Sequence, residues 1–294
     1  MKLFLVFLCL SLPLFSMGSN PNFQSIPFQR SGNLILIQAK IDGRSGNFIL
    51  DTGAPYLVLN STYFSNKDLA TETASSLAGE FGISHSIAHK LSIGETVWTD
   101  LEADLAPLGA VENAKGVRIH GLLGRALFVG YELIIDYRKN QIDLIRLNNR
   151  GGRIENRDQS NEVFSCALKE SPDALMCKVK IGNSKLRAVV DTGAEISELD
   201  KDVPADVAKE LNIDRRFYLN GVGGNRVEVV SGRLSSLELN GLEIRNTQFV
   251  MSSLEAMNKV YSKRIDAILG FPIFSAYLLS INFVTSEMTF YQHD

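Results

Sequence analysis

The four residues Asp-Thr-Gly-Ala occur twice in this chain, at Asp51-Thr52-Gly53-Ala54 and at Asp191-Thr192-Gly193-Ala194. The copies stand 140 positions apart in a chain of 294, so they divide it roughly into halves. Each is preceded by two strand-like apolar runs joined by a turn, Asn33–Leu50 before the first and Ala174–Val190 before the second. The repetition continues downstream. Ile119-His120-Gly121-Leu122-Leu123-Gly124 is echoed by Ile265-Asp266-Ala267-Ile268-Leu269-Gly270, and Phe128, Tyr131 and Leu133 return as Phe274, Tyr277 and Leu279. A chain repeated on this plan folds as two similar lobes.

Between these anchors the patterning is β. Runs at 33–41, 46–51 and 56–60 alternate with turn residues, and 78–84, with Gly79 and Gly82, reads as a hairpin tip. Its counterpart in the second half, Leu219–Asn225, carries Gly221, Gly223 and Gly224 and is the more flexible. Helical periodicity is short and weak. Its best examples are the segment after Gly124, the stretch Ala205–Leu211 and a turn opened by Pro272. The expected fold class is mainly β, in two pseudo-twofold-related lobes with a few short helices.

Met1-Lys2 and the 13-residue apolar run Leu3–Phe15 have the proportions of a secretory signal, too short to span a bilayer comfortably. Ser16, Gly18 and Ser19 offer small residues for cleavage. The expected divisions are a signal peptide over 1–19, a first lobe over 20–146, a polar linker over 147–161 and a second lobe over 162–294. Residues 20–30 read as a mobile leader. Export would put Cys166 and Cys177 in an oxidising compartment, where a hairpin about Ser171-Pro172 would face them for a disulfide. Two buried thiols acting as small hydrophobes are the open alternative.

Net charge is −3, with Lys and Arg scattered singly among Asp and Glu. That gives no electrostatic footprint for nucleic acid or for an anionic membrane, so neither is an expected partner. His85, His89, His120 and His293 form no metal motif, and no metal or cofactor is expected. No Gly-x-Ser-x-Gly elbow occurs, and neither mature cysteine has a neighbouring histidine. Asn60-Ser61-Thr62 is formally a glycosylation sequon, but it closes an apolar strand where burial is expected.

What remains is a pair of aspartates in duplicated settings. Two carboxylates brought together by a pseudo-twofold axis cannot both ionise cheaply, so they share a proton. The ionised one can activate water while its partner polarises a carbonyl. Gly53 and Gly193 would permit close approach of the two loops, and Thr52 and Thr192 would bond across the axis. Leu122-Leu123-Gly124 and Ile268-Leu269-Gly270 would supply an apolar floor.

This set of motifs resembles the aspartic peptidases over essentially the whole mature chain. The resemblance implies a bilobal aspartic-protease (acid protease) fold, with Asp51 and Asp191 as the catalytic pair and Gly79, Gly82, Gly221, Gly223 and Gly224 as flap candidates. Pepsin-like enzymes usually have Ser or Thr where Ala54 and Ala194 stand, and a flap Tyr that is missing near Gly79–Gly82. Asn220–Gly224 instead resembles the glycine-rich flap of retropepsins. Without that hydroxyl the pair should titrate higher, so the implied pH optimum is less acidic than pepsin's. The expected protein is an exported endopeptidase acting on extended polypeptide, as a monomer since both halves of the site lie in one chain. A non-catalytic peptide-binding module that kept the cleft is the rival.

Overall fold

The computed structural model of the chain describes residues 20–64, 71–76, 79–155, 161–170, 174–220 and 226–293. The expected signal peptide lies outside them. Strand makes up 56% of the structure, and the longest of four short helices has seven residues, so the protein is mainly β. Alternation is visible where it was expected: Leu34–Ile41 and Leu175–Ile181 each bury every second residue toward their ends and present Gln38, Lys40, Lys178 and Lys180 to solvent. Asp42-Gly43 and Asn240-Gly241 both take positive φ at two successive residues, the geometry that lets a two-residue turn follow strand twist.

The two lobes use one strand order. In the first, the sheet runs Gln29–Ser31, Leu34–Ile41, Arg44–Leu50, Gly121–Leu123, Leu57–Asn60, Thr96–Ala106, Gly79–Ile93, Thr71–Ser76. The second runs Lys169–Glu170, Leu175–Ile181, Ser184–Val190, Ala267–Leu269, Ser197–Asp200, Leu242–Ser252, Arg226–Leu239, Leu211–Asn220. In each, a three-residue strand sits beside the one that leads into Asp-Thr-Gly-Ala and parallel to it: Phe48 opposite Gly121, Ala188 opposite Ala267. A third sheet underlies both lobes with three strands from each half, joined where Tyr131–Asp136 pairs antiparallel with Leu278–Asn282. Its inward residues, among them Leu133, Ile135, Leu279 and Ile281, lie in one core shared by both lobes.

Several expectations need correcting. Residues 20–30 are not a loose leader: Phe23–Pro27 is an edge strand of the shared sheet, paired with Gln141–Arg146, and Gln29–Ser31 opens the first-lobe sheet. Asn20 is fixed as well, its amide donating to the Val97 carbonyl. The cysteines do not face each other across a hairpin. Glu162–Ala167 joins the shared sheet, with Cys166 opposite Met288, whereas Cys177 lies in the second-lobe sheet opposite Ala188. Both are buried free thiols, and burial pushes Cys166 up to about 12 and Cys177 higher still, so they behave as small hydrophobes. The segment after Gly124 is a single 3-10 turn, Arg125–Phe128, and the helix begun at Ala205 stops at Lys209 because Leu211 enters a strand. Pro272 occupies the second position of its short helix rather than the first.

Two helices were not expected, Gly109–Lys115 and Glu255–Val260, at equivalent places in the lobes. Neither has a side-chain cap, and no residue of the first is fully buried, so no apolar stripe announces it. His85 and His89 stand on a strand, not a helix, and pair separately with Asp104 (2.8 Å) and Asp100 (3.4 Å). Asn60 is buried, its amide spent on the Ile119 carbonyl and its oxygen on the Thr62 N–H.

Candidate active site

The Arg44–Leu50 and Ser184–Val190 strands deliver the two Asp-Thr-Gly-Ala loops to the junction of the lobes. Each aspartate is pinned by its backbone to the opposite arm of its own lobe: Asp51 N–H donates to Leu123 O (3.1 Å) and Asp191 N–H to Leu269 O (3.0 Å). The threonines then tie the loops together. Thr52 Oγ1 accepts the Thr192 N–H (3.0 Å) and donates to Val190 O (2.9 Å), while Thr192 Oγ1 accepts the Thr52 N–H (3.1 Å) and donates to Leu50 O (3.0 Å). Both hydroxyls are buried, and every donor and acceptor in this cross is satisfied.

The glycines are required by space. A β-carbon on Gly53 would sit 2.7 Å from the Asp191 carboxyl carbon, and one on Gly193 the same distance from that of Asp51. A β-carbon on Gly124 would come within 1.9 Å of Tyr56 O, and one on Gly270 within 2.4 Å of Ala194 O. The β-carbon on Gly124 would also meet Ala54 O at 2.8 Å, and the Ala54 and Ala194 carbonyls lie so close because they take part in the same clasp: Ala54 O accepts from Arg125 N–H (3.0 Å) and Ala194 O from Phe271 N–H (2.9 Å). Beneath lie fully buried Leu123 and Leu269. Leu122 and Ile268 turn instead toward smaller apolar clusters that include Ile119 and Ile265.

Electrostatically the site is crowded: the two half-buried carboxyls meet between the loops, with only the threonines fully enclosed. Asp51 and Asp191 share a hydrogen bond, and burial holds both carboxyls above their usual range. Asp191 stands well above it, since the charge of Asp51 adds to its burial. Main-chain donors partly offset this: Ala54 N–H reaches Asp51 Oδ1 (3.0 Å) and Gly193 N–H reaches Asp191 Oδ1 (2.7 Å). No hydroxyl follows either glycine. Two exposed hydrophobes stand at equivalent positions just past the loops, Tyr56 (47% exposed) and Ile196 (37%).

The structure brings together Asp51, Thr52, Gly53, Ala54 and their second-lobe copies, with Leu123, Gly124, Leu269 and Gly270 of the expected floor against them and Leu122 and Ile268 turned away. Gly79 and Gly82 lie on the strand Gly79–Ile93, opposite Ser76 and Thr73 in a hairpin. Gly221, Gly223 and Gly224 lie outside the described residues. His120 is part of the frame: its ring stacks on Tyr63 at 4.5 Å and fills the space that a side chain at position 46 would need.

Two residues were missed. Glu195 follows the second loop where the first has Pro55, and it joins the lobes: Lys115 pairs with its carboxylate, and Asn33 N–H donates to Oε1 (2.8 Å). Glu198 is buried in the strand Ser197–Asp200 opposite Ile268, where the first lobe sets Val58 opposite Leu122. Its carboxyl accepts from Ser252 Oγ (3.2 Å), its charge acts on Asp191, and burial lifts it to about 7. Aligning the halves at their 140-residue offset would have exposed it as a Glu in place of a Val.

Two β lobes meeting at crossed threonines and a carboxyl pair define the aspartic-protease class of fold. Comparison with family models agrees, lobe by lobe. Residues 37–127 match the aspartyl protease family, and residues 177–275 match a family described as "gag-polyprotein putative aspartyl protease". The chain belongs to the retropepsin-like aspartic peptidase superfamily, with one domain of that type in each lobe. No curated protein matches it in sequence.

Proposed function

We propose that the protein is an exported aspartic endopeptidase that hydrolyses peptide bonds of extended polypeptides. The observation that carries this reading is the half-buried, hydrogen-bonded carboxyl pair of Asp51 and Asp191, held face to face by the threonine cross. Such a pair retains one proton. The ionised member takes a proton from water as the water oxygen adds to the scissile carbonyl carbon, and the protonated member donates to the carbonyl oxygen. Collapse of the tetrahedral intermediate returns a proton through the pair to the departing amine, and no covalent enzyme intermediate forms. Base and acid are properties of the pair and are not assigned to one residue.

The substrate lies between the lobes as an extended strand, with main-chain hydrogen bonds for affinity and alternate side chains for specificity. Tyr56 and Ile196 are apolar walls on its two sides. Because both carboxylates come from one chain, the site is complete in a monomer. Leu3–Phe15 supports export. A purely peptide-binding role would leave the burial of two joined carboxyls as a cost without a return.

The test is cleavage of an unfolded protein by the chain from residue 20, from about pH 3 to about pH 8, beside Asp191→Asn. Activity in the parent with a loss of several orders of magnitude in the variant is expected. An optimum below about pH 3 would contradict the raised pair. Equal activity in both proteins, or silence from both with the fold intact, would overturn the reading.

A further inference from the structure

A cavity of about 760 Å³ opens in the second lobe, and no residue of either active loop lines it. Its base is the outer edge of the strand Leu175–Ile181. On one side that strand pairs with Ser184–Val190 from Met176 onward. On the other, Lys169–Glu170 covers only Leu175 and Met176, and Glu238 meets it at Lys180. Between these, the edge of Cys177, Lys178 and Val179 has no strand partner among the described residues. The reason is topological: the segment on that side belongs to the shared sheet, where Ala167 is already committed to Glu287 and Leu168 N–H to Ser286 O.

The walls of the cavity are cationic. Among the described residues Lys169, Lys178, Lys180, Lys185, Arg187 and Lys263 line it, against one carboxylate, Glu238, which lies 3.7 Å from Lys180. Asp266, outside the lining, takes the Arg187 main-chain N–H (2.9 Å). In strand register, Lys178 stands directly opposite Arg187 and Lys180 directly opposite Lys185, all on the solvent face. Like charges so opposed repel and weaken the hairpin. The first lobe provides an internal control. Its equivalent hairpin sets Gln38 opposite Asn47 and Lys40 opposite Ser45, one cation where the second lobe has four. The same backbone is built without these charges, so the fold does not require them.

We infer that this groove binds an acidic segment of polypeptide in extended form. The open edge offers main-chain N–H and C=O groups to an added strand, and the basic walls meet its carboxylates. Concavity over a strand edge favours a peptide above a flat anionic membrane. This inference is independent of the proposed peptidase activity.

The test is fluorescence anisotropy with a fluorescein-labelled peptide alternating Glu and Val. The protein is the full mature chain carrying Asp191→Asn, so that the probe stays intact. Saturable binding that weakens with salt is expected, with about a tenfold loss in K178Q/R187N, which installs the first-lobe pair. Lys185→Ser, the first-lobe residue at that register position, should weaken binding in the same direction. Thermal midpoints of both variants should equal or exceed the parent's, because repulsion is relieved. Unchanged affinity in both variants, midpoints lowered in both, competition by a peptide-isostere inhibitor of the cleft, or binding to phosphatidylglycerol vesicles in place of the peptide would each overturn the inference.

Discussion

At Thr192 one hydroxyl accepts the Thr52 N–H and donates to the Leu50 carbonyl, so a single atom closes two polar accounts across the lobe junction. Thr192→Val keeps the shape and leaves both backbone groups buried and unpaired, at about 1–3 kcal/mol for each. Thr192→Ser restores the oxygen and should recover most of that stability; urea denaturation of the two variants decides it. Glu198 is the other telling residue. Burial raises its carboxyl from 4.5 to about 7. The folded state therefore keeps a proton that the unfolded chain releases, and stability falls as pH rises from about 4.5 to about 7. The loss over that window is on the order of 3 kcal/mol, and Glu198→Gln should flatten this part of the profile. Since ionised Glu198 also raises Asp191, the variant should move the alkaline limb of activity to lower pH. Coincident profiles for parent and variant would refute both points.

Among the elements, the decisive contact is the one between each three-residue strand and the loop it crosses. Gly124 has an ordinary φ of −76°, so its constraint is space: Tyr56 O occupies the site of a β-carbon. Gly124→Ala must push apart a backbone that also carries the Arg125-to-Ala54 bond, and a loss of more than about 3 kcal/mol is expected. Gly130, at φ +85° with nothing near its β-position, is a comparison glycine whose replacement is strained by conformation alone. A thermal midpoint for Gly124→Ala within a few degrees of the parent would contradict the steric account. These elements were legible in the sequence because Asp-Thr-Gly-Ala and Leu-Leu-Gly recur in register. The helix Gly109–Lys115 was not legible, since it buries no side chain fully, packing only Val111 in part, and carries no capping residue. The edge strand Phe23–Pro27 was hidden for a related reason: among its residues only Ile26 is buried, so period-two patterning is faint.

On the scale of the whole molecule, the shared sheet makes two lobes one body. Glu132 lies in its middle, buried, where Arg153 pairs with it (2.6 Å and 2.8 Å) and Ser280 of the other half donates to it (2.5 Å). Arg153 comes from the segment that sequence reading assigned to the linker. Arg153→Ala would leave a buried carboxylate without its cation, at about 3–5 kcal/mol, and because the sheet belongs to both halves the loss should appear as one lowered transition. Two separate calorimetric transitions, with only one displaced, would show that the lobes unfold independently.

The amino-acid sequence by itself determined the duplication, the β class, the carboxyl pair with its threonines and glycines, and the Leu123 and Leu269 part of the apolar floor. These are local patterns repeated at a fixed offset, and repetition makes them readable without a partner in view. Only the tertiary structure decided how they are used. It separated Cys166 and Cys177 into different sheets, put Glu198 beside Asp191 and Glu195 against Lys115, and gathered singly scattered lysines into one cationic groove. Pairing register and burial are set by residues distant in the chain, so no local pattern carries them.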